Sequence, residues 1–306
     1  SLDGFPGDRF CDRRVGHTGR LRSPMAPPRI VRTVKALRSA VQKWRGAGES
    51  VSLVPTMGAL HDGHLTLVTL GKRKSDRVVV SIFVNPPQFG PTEDLSRYPR
   101  DEAGDARKLG FAGADLIWAP KVEDMYPEGF ATTVVPKGAA LPLEGEFRPH
   151  HFAGVATVCT KLFSQVTPDI AIFGEKDYQQ LCVIRQLVRD LNLPLRIVAA
   201  PTSRERDGLA RSSRNAYLTA DERAVAPALH RALKGLAAIA AKGGLVNKAI
   251  DVATHDLLHA GFAKVDYLAV RDAETLEAFA PKSGRPGRVL GAAWLGSTRL
   301  IDNIAV

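Results

Sequence analysis

The chain has 306 residues, 44% hydrophobic and 24% charged, which is ordinary for a globular protein with room for two compact domains or one large one. No apolar run nears the ~20 residues of a membrane-crossing helix. Its cysteines, Cys11, Cys159 and Cys182, have neither metal-ligand spacing nor a disulfide framework, which fits a reducing cytoplasm. The net charge of +10 raises nucleic acid as a partner, but the cations are dispersed and no basic stripe alternates with aromatics, so a soluble protein with a phosphate-rich small ligand is the better reading.

Residues 1–28 read as a disordered extension. Gly4, Pro6, Gly7, Gly16, Gly19, Pro24, Pro27 and Pro28 interrupt any periodicity, and no apolar segment of a secretory signal is present. Regular patterning begins at Arg29. Val34–Gly46 is an amphipathic helix with Val34, Leu37, Val41 and Trp44 on one face. Val51–Pro55 is a short buried strand, Leu65–Lys74 a helix and Arg77–Val84 a β-branched strand. Asp101–Leu109 reads as a helix, Ala114–Trp118 as a strand and Gly154–Gln165 as a helix. Ile170–Phe173 is a strand, Tyr178–Leu191 a helix and Leu195–Ala199 a strand. This alternation implies an α/β fold, a Rossmann-like parallel sheet flanked by helices over residues 29–200. Residues 201–306 change character. Alanine-rich helices over Ala220–Gly243 and Asn247–His259 precede strands Val265–Val270, Arg288–Trp294 and Thr298–Ile304, which implies a smaller C-terminal α+β domain.

The chemistry gathers where strands end. After the first buried strand comes Thr56-Met57-Gly58-Ala59-Leu60-His61-Asp62-Gly63-His64, a turn that opens a helix. Exposed N–H groups at a helix start favour an anion. His61 and His64, three apart, can both donate to phosphate oxygens, and Gly63 has no Cβ to keep a nucleotide away. A zinc site has no third ligand nearby. The next strand runs into Asn85-Pro86-Pro87-Gln88-Phe89, where Asn85 and Gln88 can meet hydroxyl or carboxylate groups, although an ordinary polar loop would look the same. A third strand ends in Gly174-Glu175-Lys176-Asp177, followed by Gln180. Lys176 suits phosphate as a point charge, and Asp177 a ribose hydroxyl or Mg²⁺. Arg211-Ser212-Ser213-Arg214 reads as a triphosphate clamp or a plain surface loop. Arg148 and His151 are candidates for an amine-bearing substrate or for phosphate, or parts of a polar connector.

Together PTMGALHDGH, IFVNPPQF, LEGEFRPHHFAGV, FGEKDYQQL and DGLARSSRNAYL resemble the pantothenate synthetases in order, content and spacing from Arg29 onward. The HxGH element alone would indicate only the wider nucleotidyltransferase superfamily. The resemblance implies an ATP- and Mg²⁺-dependent condensation of (R)-pantoate with β-alanine through a pantoyl-adenylate, in a cytoplasmic homodimer whose C-terminal domain closes over the site. It implies no nucleic-acid or membrane partner.

Carried onto this sequence, the family's ATP site covers Met57, Gly58, Ala59, Leu60, His61, Asp62, Gly63 and His64, with His64 as proton donor and His61 beside the phosphates. Gly174, Glu175, Lys176, Asp177, Ser203, Arg211, Ser212, Ser213 and Arg214 complete it. His64, His61, Lys176 and Arg214 would act in the chemistry. Gln88 and Gln180 would hold pantoate, and Gln88 would border β-alanine. The metal ligands are unknown. Two positions depart from the family pattern: Arg211 stands where an apolar residue is expected and Pro87 where methionine is expected. The competing readings are a nucleotidyltransferase that leaves its product adenylylated and an RNA-binding protein on a vestigial nucleotide fold.

Overall fold

The computed structural model describes residues 26–91, 93 and 95–306, so the expected disordered extension lies almost wholly outside the described residues. The first part of the chain alternates strand and helix: β1 (Arg29–Val31), α1 (Val34–Gly46), β2 (Val51–Thr56), α2 (Asp62–Lys74), β3 (Arg77–Ile82), α3 (Glu102–Ala112) and β4 (Leu116–Trp118). Two short helices, α4 (Val122–Met125) and α5 (Glu144–Phe147), lead to α6 (His151–Val166), β5 (Ile170–Gly174), α7 (Tyr178–Asp190) and β6 (Arg196–Ala200). The six strands form one sheet in the order β1-β4-β3-β2-β5-β6, and every pairing is parallel.

Successive strand residues face opposite sides, and the core divides accordingly. Leu53 and Val79 pack with Leu37 and Val41 of α1, Val155 and Leu162 of α6, and Leu181 and Ile184 of α7. Val54, Val78 and Val80 pack on the other face with Leu67 and Val68 of α2 and Ala106 and Leu109 of α3. Helices on both faces explain why these strands are apolar throughout rather than alternating.

The chain then forms α8 (Ala220–Val225), α9 (Pro227–Ala241), α10 (Val246–His259) and an antiparallel sheet of β7 (Lys264–Asp272), β8 (Gly287–Leu295) and β9 (Thr298–Ala305). Leu229, Leu233, Leu257, Val289 and Leu300 make a separate core. Ala269, Leu276 and Leu290 pack instead into the core of the first sheet, so the small sheet is anchored to it.

Three expectations need correction. The single helix expected over Ala220–Gly243 is two, because Pro227 has no N–H to continue α8 and instead starts α9. The strand expected to reach Val84 ends at Ile82. Helix α2 begins at Asp62, not Leu65, because His61 caps it. Strand β1 gave no sequence signal, being only three residues long.

Candidate active site

The strand order reverses at β2 and β5. From β2 the sheet grows through β3 and β4 on one side and through β5 and β6 on the other. In open α/β sheets the crevice beyond the strand ends at such a point is where ligands bind. The carboxyl ends of β2 and β5 carry the Met57–His64 turn and the Gly174–Asp177 turn, and a cleft of about 910 Å³ opens between them.

The turn after β2 is held in an unusual backbone. Gly58 and Ala59 have φ of +79° and +50°. A left-handed alanine costs energy, so its surroundings must fix it. Asp105 of α3 does so. It is 1% exposed, and it accepts the Leu60 N–H at 2.8 Å, while Lys108 donates to the Leu60 carbonyl at 2.7 Å. Both polar backbone groups of Leu60 are therefore engaged, and its side chain is buried.

The two histidines form one unit. His61 Nδ1 accepts the Gly63 N–H at 3.1 Å, and His64 Nδ1 accepts the His61 N–H at 3.3 Å. Their rings lie 4.1 Å apart. A ring nitrogen that accepts a backbone N–H carries no proton, so the neutral tautomer of each ring has its hydrogen on Nε2. Burial lowers the pKa of His61 to about 4 and of His64 to about 3, and nearby Lys176 adds to both shifts. The unit thus offers two neutral Nε2–H donors. Gly63 serves this arrangement directly, because a Cβ there would stand 2.8 Å from the His61 ring.

Across the cleft, Lys176 lies 3.3 Å from Asp177. Burial works against the Asp177 carboxylate, but Lys176 and Arg214 outweigh it and hold its pKa below the ordinary range. A Cβ on Gly174 would meet no atom within 4 Å, which leaves this strand end open to the cleft.

The Arg211–Arg214 loop leans onto the β2 turn. Arg211 pairs with Asp62 and, at 3.4 Å, with Glu205. Ser213 donates to the Ala59 carbonyl at 3.1 Å, and Ser212 accepts the Arg214 N–H at 3.3 Å. Arg214 stands 6.0 Å from the Tyr98 ring centre. The Ser203 carbonyl accepts the Arg211 N–H at 2.9 Å. The residues read as a phosphate clamp thus also tie the segment after β6 to the histidine turn.

Gln88 is positioned by a buried scaffold. Asn85, 1% exposed, donates to the Gln88 Oε1 and to the Gly154 carbonyl, both at 3.1 Å, and accepts the Tyr126 hydroxyl at 2.6 Å. The Gln88 amide nitrogen is left to meet Met57 Sδ at 3.2 Å. Asn85, read from sequence as a ligand contact, is fully used in holding its neighbour. A Cβ on Gly154 would lie 2.6 Å from the Gln88 nitrogen, so α6 packs directly on this turn. Arg148 forms a two-pronged ion pair with Glu93 at 2.7 and 2.6 Å. His151 Nδ1 lies 3.0 Å from the Gln88 carbonyl, which can only accept, so Nδ1 carries the proton.

One cleft therefore gathers Met57, His61, Gly63, His64, Gln88, Gly174, Lys176, Asp177, Gln180, Ser203 and Arg211–Arg214. Among the described residues, Gly58, Ala59, Leu60, Asp62 and Glu175 support its walls rather than line it. Asp105 and Tyr126 were missed from sequence. Asp105 had a signal: it lies four residues before Leu109, on the apolar face of α3.

The model of the pantoate-beta-alanine ligase family matches residues 29–305. The chain is 56% identical to the pantothenate synthetase of Rhodospirillum rubrum over 90% of its own length and 98% of that protein's. It is 58% identical to that of Paramagnetospirillum magneticum, covering 90% and 97%. The solved pantothenate synthetase of Thermus thermophilus superposes with a TM-score of 0.83 at 49% identity, covering 90% of this chain and 98% of that one. A pantoate-beta-alanine ligase from Francisella tularensis, complexed with Beta-gamma ATP and Beta-alanine, gives 0.77 at 33% identity, covering 91% and 97%. By the family match and by these relatives, the chain belongs to the pantoate-beta-alanine ligase family.

Proposed function

We propose that this cleft condenses (R)-pantoate with β-alanine at the expense of ATP, through a pantoyl-adenylate. The observation that carries the reading is the His61–His64 unit at the sheet's switch point, facing Lys176 across the cleft. A pantoate carboxylate oxygen attacks the α-phosphorus of ATP, and the bond to pyrophosphate breaks. The β-alanine amine then attacks the acyl carbon, and AMP leaves with that oxygen. The first step brings an anion against an anionic triphosphate. Two Nε2–H donors, Lys176 and Arg214 offset that repulsion and stabilise charge on the departing pyrophosphate, each donor contributing ~3 kcal/mol. His64 acts in this reading as a hydrogen-bond donor, and as a proton donor only after phosphate charge has raised its pKa. Gln88 and Gln180 hold pantoate, and Gln88 borders β-alanine.

Mg²⁺ belongs to the reading as an ion carried by the nucleotide. Among the described residues no group of three or more His, Cys, Asp or Glu could hold a metal. Asp177, one of several carboxylates that line the cleft, suits an ion that keeps phosphate and water as its other ligands. When bound, it neutralises triphosphate charge.

We divide the chain at residue 200 into an ATP- and pantoate-binding domain over 29–200 and a lid domain over 201–306. A homodimer and a cytoplasmic location complete the reading. Phe130, Val135 and Leu141, all exposed on one segment, suit burial between subunits. Cys159 and Cys182 are free, buried thiols, as suits a reducing compartment. Among the described residues no helix is long and apolar enough to cross a membrane.

The test is substrate dependence. Pyrophosphate release should require pantoate, and steady AMP release should require β-alanine as well. Equal pyrophosphate release without pantoate would overturn the assignment.

A further inference from the structure

Strand β9 ends in an apolar sheet yet carries two adjacent buried polar residues, Asp302 and Asn303, 5% and 2% exposed. Their partners are far apart in the chain. The Asn303 amide nitrogen donates to the carbonyls of Glu175 and Lys176, both at 2.8 Å. Its Oδ1 accepts from Arg288 Nε at 2.8 Å. Arg288 can only donate and the two carbonyls can only accept, so all three contacts agree on one orientation of the amide. Asp302 forms a two-pronged pair with Arg204 at 2.7 and 2.8 Å. Arg204 lies in the segment that leads to Arg211–Arg214. One dipeptide of the C-terminal sheet thus grips the turn that presents Lys176 and the approach to the cationic loop.

From this arrangement we infer that Asn303 is a positioning residue for adenylate formation, acting through the backbone of Glu175 and Lys176 to aim the Lys176 ammonium at the nucleotide. The inference rests on the role given to Lys176 above. Losing Asn303 leaves two partly buried carbonyls without this donor, and the Gly174–Asp177 turn relaxes. A shift of about 1 Å at such a group can cost about a hundredfold in rate. Because Asn303 does not itself touch substrate in this account, its effect should vanish once Lys176 is gone.

The experiment is a double-variant cycle on pantoate-dependent pyrophosphate release. Asn303→Asp is nearly isosteric and keeps the acceptor for Arg288, but replaces the donor with an oxygen. Asn303→Ser is the milder partner should Asn303→Asp not fold, judged by circular dichroism and thermal melting. We expect a tenfold to hundredfold loss in roughly that range for either variant, with an increased KM for ATP and an unchanged KM for pantoate. In a Lys176→Ala background the same change should cost less than about twofold. If the two losses multiply, or if both Asn303 variants retain full activity, the inference is overturned while the role of Lys176 stands. If Lys176→Ala alone is fully active, the reading beneath it falls too.

Discussion

A histidine pair at a helix start is ambiguous as sequence, because rings in a turn can be ligands, caps or spacers. The geometry resolves it through hydrogen-bond direction. Each Nδ1 is committed to a backbone N–H, so each Nε2–H is offered to the cleft. This separates two substitutions at one position. A glutamine amide reaches about as far as Nε2, whereas alanine supplies no donor. His64→Ala should lower the rate of pyrophosphate release by roughly a hundredfold or more, and His64→Gln should retain a measurable part of the difference. Equal losses in both would remove hydrogen-bond donation from the role of His64. Because its pKa lies near 3, His64 should contribute no ionisation near pH 6.5 to the pH profile of kcat/KM for ATP. A step at that pH that disappears in His64→Gln would contradict its neutrality.

At the scale of elements, what matters is how turns are braced. Asp105 sits on the apolar face of α3 because a left-handed Ala59 needs an external hold. Asp105→Ala would leave the buried Leu60 N–H without a partner, which costs about 1–3 kcal/mol. The urea midpoint should fall accordingly, and an unchanged midpoint would mean that the turn holds itself. Gly154→Ala should drive a methyl into the Gln88 backbone, with KM for pantoate rising more than KM for ATP. The strands and helices that frame these turns were legible in the sequence, since Val51–Pro55 reads as a short buried strand, Arg77–Val84 is β-branched and Val34–Gly46 has a clean apolar face. The turn residues themselves were legible as types. Their division of labour was not, because Asn85 and Gln88 look equivalent in sequence, yet only long-range partners such as Tyr126 and Gly154 show that Asn85 is committed to holding the turn. The break at Pro227 was visible as a proline and overridden by the alanine-rich run around it.

For the whole molecule, buried neutral histidines link the cleft to acid stability. His61, His64 and His151 have pKa values of about 4, 3 and 4 against an ordinary 6.5, each lowered first by burial. The folded state therefore stays unprotonated while the unfolded chain takes up protons. Their contribution is complete above pH 6.5 and is lost as pH falls toward 4 and then 3. The urea midpoint should decline across that window, and His151→Gln should shallow the decline. A midpoint that is flat from pH 6.5 to 5 would contradict the buried neutral state. Strand β9 is also tied to the first part of the chain: Arg299 pairs with the buried Glu144 at 2.8 Å, and Asn303 donates to the Lys176 carbonyl at 2.8 Å. In the proposed mechanism pantoate is activated by transfer of the adenylyl group to its carboxylate. Pantoate labelled with heavy oxygen in that carboxylate, turned over with ATP and β-alanine and analysed by mass spectrometry, tests it most directly. One labelled oxygen should appear in AMP and none in pyrophosphate, whereas unlabelled AMP would rule out the adenylate route.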